Sequence, residues 1–257
     1  MVHRALLVGC NYPGNSAARH LSYGNTYIMR DFLISSMGVK NENIRVLTDE
    51  RDREGTPGFA NLANFKAELA RLIKETKKDD TVIFYFSGQG GQQESEDKNE
   101  SDGKDEVIYL FDPSKGRDSD DALVGFVDNE LFDQFLKPLD NGATLMSFFD
   151  CEHSGTMVDL PFNYVPGPGL MAQGNPESFG NEKAVAIGAC SDGQDEIAEG
   201  LLTTAIIMAF GKANRKHKGA TWTQIAEEIF KSTGSTGSKQ IPVVSFSKEA
   251  YAKARAY

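Results

Sequence analysis

Apolar positions along this chain fall into two alternating patterns. Short continuous runs stop at clusters of glycine, asparagine or proline: "ALLVG" at 5–9 runs into "GCNYPGN", and "TVIFYFSGQGG" at 81–91 runs into its own glycines. "NIRVLTD" at 43–49, "ATLMSFFD" at 143–150, "AVAIGA" at 184–189 and "IPVVSF" at 241–246 are of the same kind. Runs of this length, largely apolar and without helical spacing, predict buried strands of a sheet. Between them lie stretches with helical spacing. In "NLANFKAELARLIKETK" at 61–77 the residues Leu62, Phe65, Leu69, Leu72 and Ile73 share one face. Ile28, Met29, Phe32 and Leu33 predict a helix that Gly38 ends. "NELFDQFLKPL", "GLLTTAIIMAFGKA" and "TWTQIAEEIFK" predict three more. Strands alternating with helices predict an α/β fold, a central mostly parallel sheet flanked by helices on both faces. Residues 92–106, acidic and almost free of apolar side chains, are expected to be a loop, as is the Pro/Gly/Asn-rich stretch 161–183.

Composition narrows the function. A chain of 257 residues with 40% apolar and 25% charged positions can bury a full core, and no composition break divides it, so one domain over 1–257 is expected. The net charge of −10 argues against nucleic acid or an anionic membrane as partner and favours cationic side chains or metal ions. Cys10, Cys151 and Cys190 form no ligand or disulfide spacing, which together with the lack of a signal-like or membrane-length apolar run predicts a cytoplasmic protein.

In open parallel sheets the chemistry gathers at the carboxyl ends of strands. Here those ends read "YFSGQGGQ" and "FFDCEHSG". Taken with "RALLVGCNYPG" at the start, "KDEVIYLFD" after the acidic stretch and "SKQIPVVSFSK" near the end, they resemble the metacaspases, caspase-like cysteine peptidases, in motif order along nearly the whole chain. The resemblance implies a caspase-like fold, a monomer, and a chain that begins at the first strand without an N-terminal prodomain. It also assigns positions. The family's general-base histidine falls on Gln89 and its nucleophilic cysteine on Glu152. A pocket for Arg or Lys side chains keeps Ser87 and Asp150, while a further pocket aspartate becomes Asn25 or Tyr27, depending on a one-residue gap. The family's calcium ligands fall on Asp105, Asp128, Asn129 and Asp159, a weakened but hard-oxygen set.

Glutamine takes no proton at neutral pH and a carboxylate attacks amides poorly. The expectation is therefore a catalytically inactive homologue that works through contacts with a protein or peptide, an active metacaspase or its substrates among them. The rival reading keeps a calcium-dependent Arg/Lys-specific peptidase with a non-standard catalytic site, or a hydrolase using Glu152 as base for water. Strand alternation sends Cys151 away from Asp150 and Glu152 into the core, and Gln89 is expected to donate directly to Glu152.

Overall fold

The computed structural model describes residues 1–95, 103–139, 142–158, 160–172, 183–191, 194, 198–216 and 219–256. The chain opens with strand β1 (His3–Gly9), helix α1 (Ser22–Met37), β2 (Ile44–Thr48), α2 (Leu62–Glu75) and β3 (Thr81–Ser87). Strands β4 (Gly90–Glu94), β5 (Lys104–Phe111) and β6 (Leu123–Val127) follow, then α3 (Asp128–Leu131) and β7 (Thr144–Asp150). The second half holds β8 (Phe162–Val165), β9 (Gly169–Ala172), β10 (Lys183–Gly188), α4 (Leu201–Lys216), α5 (Trp222–Gly234), β11 (Val243–Phe246) and α6 (Glu249–Ala252).

Eight strands form one sheet in the order β2-β1-β3-β7-β10-β11-β8-β9. The first five run parallel and the last three pair antiparallel. The chain leaves β1 towards β2 on one side and returns to β3 on the other, so strand order reverses at β1. That reversal opens a crevice at the carboxyl ends of β1 and β3, whose last residues Gly9 and Ser87 are register partners.

Alternation along each strand divides the core in two. Leu6, Val8, Val82, Phe84 and Phe86 face α2 and the segment 128–139, where Phe84 meets the rings of Phe65, Phe135 and Phe149 at 5.5–5.9 Å. Ala5, Leu7, Ile83, Tyr85 and Phe148 face α1, α4 and α5 on the other side. The expected mostly parallel sheet with helices on both faces is the architecture observed.

Three local expectations need correction. Ile28 does not share the buried stripe of α1: it is 55% exposed, while Met29, Phe32, Leu33 and Met37 turn inward. Gly38 does end that helix, in the left-handed conformation that glycine adopts without strain. The stretch 92–106 is not loop throughout. β4 and β5 enter it from both ends and form a second, antiparallel sheet with β6, and residues 96–102 lie outside the described residues. Within 161–183, β8 and β9 form a hairpin whose turn uses Gly167 and Gly169 at positive φ.

Candidate functional site at the ends of β3 and β7

Ser87 ends β3, Asp150 ends β7, and the two are register partners. Gln89 and Glu152 therefore emerge side by side, two residues beyond neighbouring parallel strands. The glycines around Gln89 are steric requirements. A Cβ on Gly90 would lie 2.0 Å from the Glu152 carbonyl oxygen, and one on Gly88 would lie 2.5 Å from the Tyr12 hydroxyl. The start of β4 thus passes directly over the turn that carries Glu152.

Glu152 is 5% exposed and forms a salt bridge with Nη2 of Arg19. The same nitrogen donates to Gln89 Oε1 at 2.6 Å. Arg19 thus sits between the two side chains expected to bond each other, and the Gln89 amide nitrogen turns away to the Gly90 carbonyl oxygen at 3.1 Å. The second Glu152 oxygen accepts the Gly90 N–H at 3.4 Å. Tyr12 fixes the Gln89 backbone: its hydroxyl accepts the Gln89 N–H and donates to the Tyr109 carbonyl oxygen, both at 2.8 Å.

Asp150 is buried beneath α4, on the sheet face opposite Cys151. Its Oδ2 accepts from the Thr203 hydroxyl at 2.5 Å and from the Thr203 N–H at 3.1 Å. Since the Thr203 hydroxyl spends its proton there, the Tyr85 hydroxyl, 2.7 Å away, donates to it. Asp150 Oδ1 is buried without a hydrogen-bond partner among the described residues. Burial pushes the Asp150 carboxyl up to about 6, with the Thr203 bonds acting against it and the negative charges of Glu199 and Glu152 adding to it. Asn25 has its amide 3.4 Å from the Ser87 hydroxyl, whereas the Tyr27 hydroxyl bonds Glu50 at 2.6 Å. Of the two sequence candidates for the missing acid, the structure puts Asn25 beside Ser87.

Cys151 is fully buried in the α2-side core, and burial, then the Glu152 charge, hold its thiol far above the usual range. His153, in the left-handed region at φ 47°, marks where the turn departs from strand geometry. The strand end therefore presents a carboxylate, a guanidinium and an amide, but no activated thiol.

On the β5–β6 side, Asp105, Asp128 and Asn129 come together. Asn129 donates to Asp105 Oδ1 at 3.1 Å, and Asp128 accepts the N–H groups of Glu106 and Asn129 at 3.0 and 2.6 Å. Asp159 lies outside the described residues, among which no three His, Cys, Asp or Glu side chains converge as a ligand group. The donor atoms present are hard oxygens, the ligand type that a calcium ion takes.

A family model described as "Metacaspase, peptidase C14 domain" matches residues 3–161. The chain belongs to the metacaspase family. It is 34% identical over 162 residues to Metacaspase-1 of Yarrowia lipolytica and 29% identical over 215 residues to Metacaspase-1A of Neurospora crassa. These alignments take in 63% and 84% of this chain but 33% and 45% of those relatives, so the chain spans less than half of their length. A crystal structure of protein GSU0716 from Geobacter sulfurreducens shares the fold, with a TM-score of 0.66 at 20% identity over 99% of this chain and 98% of that one. The family match overturns the expectation that the chain is no enzyme. The matched domain is described as a peptidase domain and the relatives carry the metacaspase name, so the chain stands in a peptidase family and nothing shows it to be inactive.

Sequence reasoning missed Arg19, Thr203 and Glu199. Arg19 is the only Lys or Arg between residues 5 and 29, in the loop that follows β1. A carboxylate at a buried strand end requires a cation, and that loop is the nearest source by topology. Thr203 reaches Asp150 from α4, and nothing in the spacing of the two residues announces the contact.

Proposed function

We propose that this metacaspase-family domain recognises a polypeptide through an Arg or Lys side chain bound at the ends of β3 and β7. The observation that carries the reading is Asp150 Oδ1, a buried carboxylate oxygen with no hydrogen-bond partner among the described residues, beside Ser87, which Asn25 contacts. A basic side chain supplies the donor and the charge that this oxygen lacks. With one acid and one amide in the pocket, affinity is expected to be modest.

The base available for hydrolysis at this site is the Glu152 carboxylate, acting on water, with the Gly90 N–H and Arg19 as the neighbouring donors. The Cys151 thiol takes no part in this reading. Asp105, Asp128 and Asn129, with Asp159, would hold a calcium ion, which would draw β5, β6 and α3 together. The partner class is a polypeptide with accessible basic residues, substrates of other metacaspases among them. No helix among the described residues is long and apolar enough to cross a membrane.

Fluorescence anisotropy with a labelled, C-terminally amidated Arg peptide and its citrulline counterpart tests the recognition step. The Arg peptide should bind more tightly, and Asp150→Asn should remove about tenfold of that preference, the worth of one charge-assisted hydrogen bond. Equal affinity for the two peptides would overturn the reading.

A further inference from the structure

The Arg19 contacts carry a second consequence, which rests on the recognition reading above. Arg19 comes from the segment between β1 and α1, whose backbone is tied down on both sides. Its N–H bonds the Asn11 carbonyl oxygen at 3.0 Å, and Glu199 accepts the N–H groups of His20 and Leu21 at 3.1 and 2.9 Å. The Asn15 amide, further back, bonds the carbonyl oxygens of Arg117 and Ser119 at 3.0 and 2.9 Å. The backbone is thus fixed, and only the side chain needs to rotate for the guanidinium to leave.

The resident guanidinium also fits incompletely. Nη2 serves both Glu152 and Gln89, yet Nε is buried without a hydrogen-bond partner among the described residues. Two residues back along the chain, Asp150 Oδ1 is buried and equally unsatisfied. A guanidinium has five donors in a fixed fork, and Arg19 leaves one of them unused. Such orphans in a buried site mark an arrangement that a better-fitting group can improve. An arriving basic side chain would meet Asp150 and then compete for Glu152.

We propose that Arg19 is an internal occupant of the basic side-chain site, a guanidinium that an incoming Arg or Lys of a polypeptide displaces from Glu152. The resting site is then held closed by its own counter-ion. Basic polypeptides open it by exchange, while neutral ones leave the Arg19–Glu152 pair intact.

Two measurements with the same Arg and citrulline peptides test this. In the unaltered protein, the ¹⁵Nε resonance of Arg19 should shift when the Arg peptide binds and stay in place with the citrulline peptide. In Arg19→Met, the Arg peptide should bind about tenfold more tightly, since one charged contact no longer has to be exchanged, and the citrulline peptide should gain nothing. Arg-peptide binding with an unmoved Arg19 resonance would overturn the exchange and leave basic side-chain recognition standing. Equal gains for both peptides would make Arg19 a steric plug and also overturn it. Failure of the Arg peptide to bind either protein would remove both readings.

Discussion

The Arg19–Glu152 pair should show in stability as clearly as in binding. Their side chains are 15% and 6% exposed, so the pair is largely withdrawn from solvent. Truncating one partner of a buried pair costs about 3–5 kcal/mol, because the other charge stays buried and unpaired. In Arg19→Ala, Glu152 keeps, among the described residues, only the long Gly90 N–H contact at 3.4 Å. The exposed edge of Arg19 admits some water, which favours the low end, about 3 kcal/mol. For a chain of this size that corresponds to a fall of roughly 6–12 °C in Tm. Adding Glu152→Gln removes the stranded charge and should recover about 2 kcal/mol, so the double-mutant cycle should give a coupling of at least about 2 kcal/mol, larger by whatever Glu152→Gln costs alone. Urea unfolding of the four proteins at pH 7.5 measures it, and added salt should change it little because the pair is shielded. An Arg19→Ala cost or a coupling under about 0.5 kcal/mol would place the pair in the class of surface ion pairs and refute the reasoning.

Three further outcomes are expected. Gly90→Ala must push its Cβ away from the Glu152 backbone carbonyl, 2.0 Å off. Denaturant unfolding should therefore show a loss of about 3 kcal/mol or more, and a neutral substitution would contradict the packing of β4 over the turn. Asp150 titrates at about 6 when folded, against 3.8 when free. The stability it contributes is therefore full below about pH 3.8 and is lost as pH rises through about 6, roughly 3 kcal/mol in all. The stability of wild type relative to Asp150→Asn should fall from pH 4 to pH 7, while Arg-peptide affinity rises over the same range as the carboxylate ionises. Thr203, Tyr85, Glu152 and Glu199 act on that group and should be left unaltered in the comparison. Calcium at about 100 times its Kd should raise unfolding free energy by about 2.7 kcal/mol, with Asp105→Asn reducing the gain. No stabilisation by millimolar calcium in a thermal melt would argue against the site.

The sequence shows its strand ends plainly, because a fully buried parallel strand must be apolar at every position and must stop where the backbone meets solvent. Gln89 and Glu152 could therefore be placed together before any coordinates. What pairs with them was less visible. Helix α1 buries Met29, Phe32, Leu33 and Met37, a stripe that leaves Ile28 outside it. An apolar residue next to a helical stripe is indistinguishable in sequence from one within it. The β8–β9 hairpin was hidden because its short strands carry few β-branched residues and its turn reads as loop. Arg19 and Thr203 reach the site from a loop and from α4, which bring no motif of their own. Their roles come from tertiary placement, and the chemistry of the site depends on them as much as on the motif residues. The resemblance put the family's catalytic positions on Gln89 and Glu152, and the inactivity inferred from that went too far, because the chain belongs to a peptidase family.

The most direct test of basic side-chain recognition is a crystal structure of the protein with a bound Arg-terminated peptide at pH 7.5. The peptide guanidinium is expected within hydrogen-bond distance of Asp150 Oδ1, with the Arg19 side chain turned away from Glu152. A peptide seated elsewhere, with Asp150 Oδ1 still bare and the Arg19–Glu152 pair intact, would contradict both the recognition and the exchange.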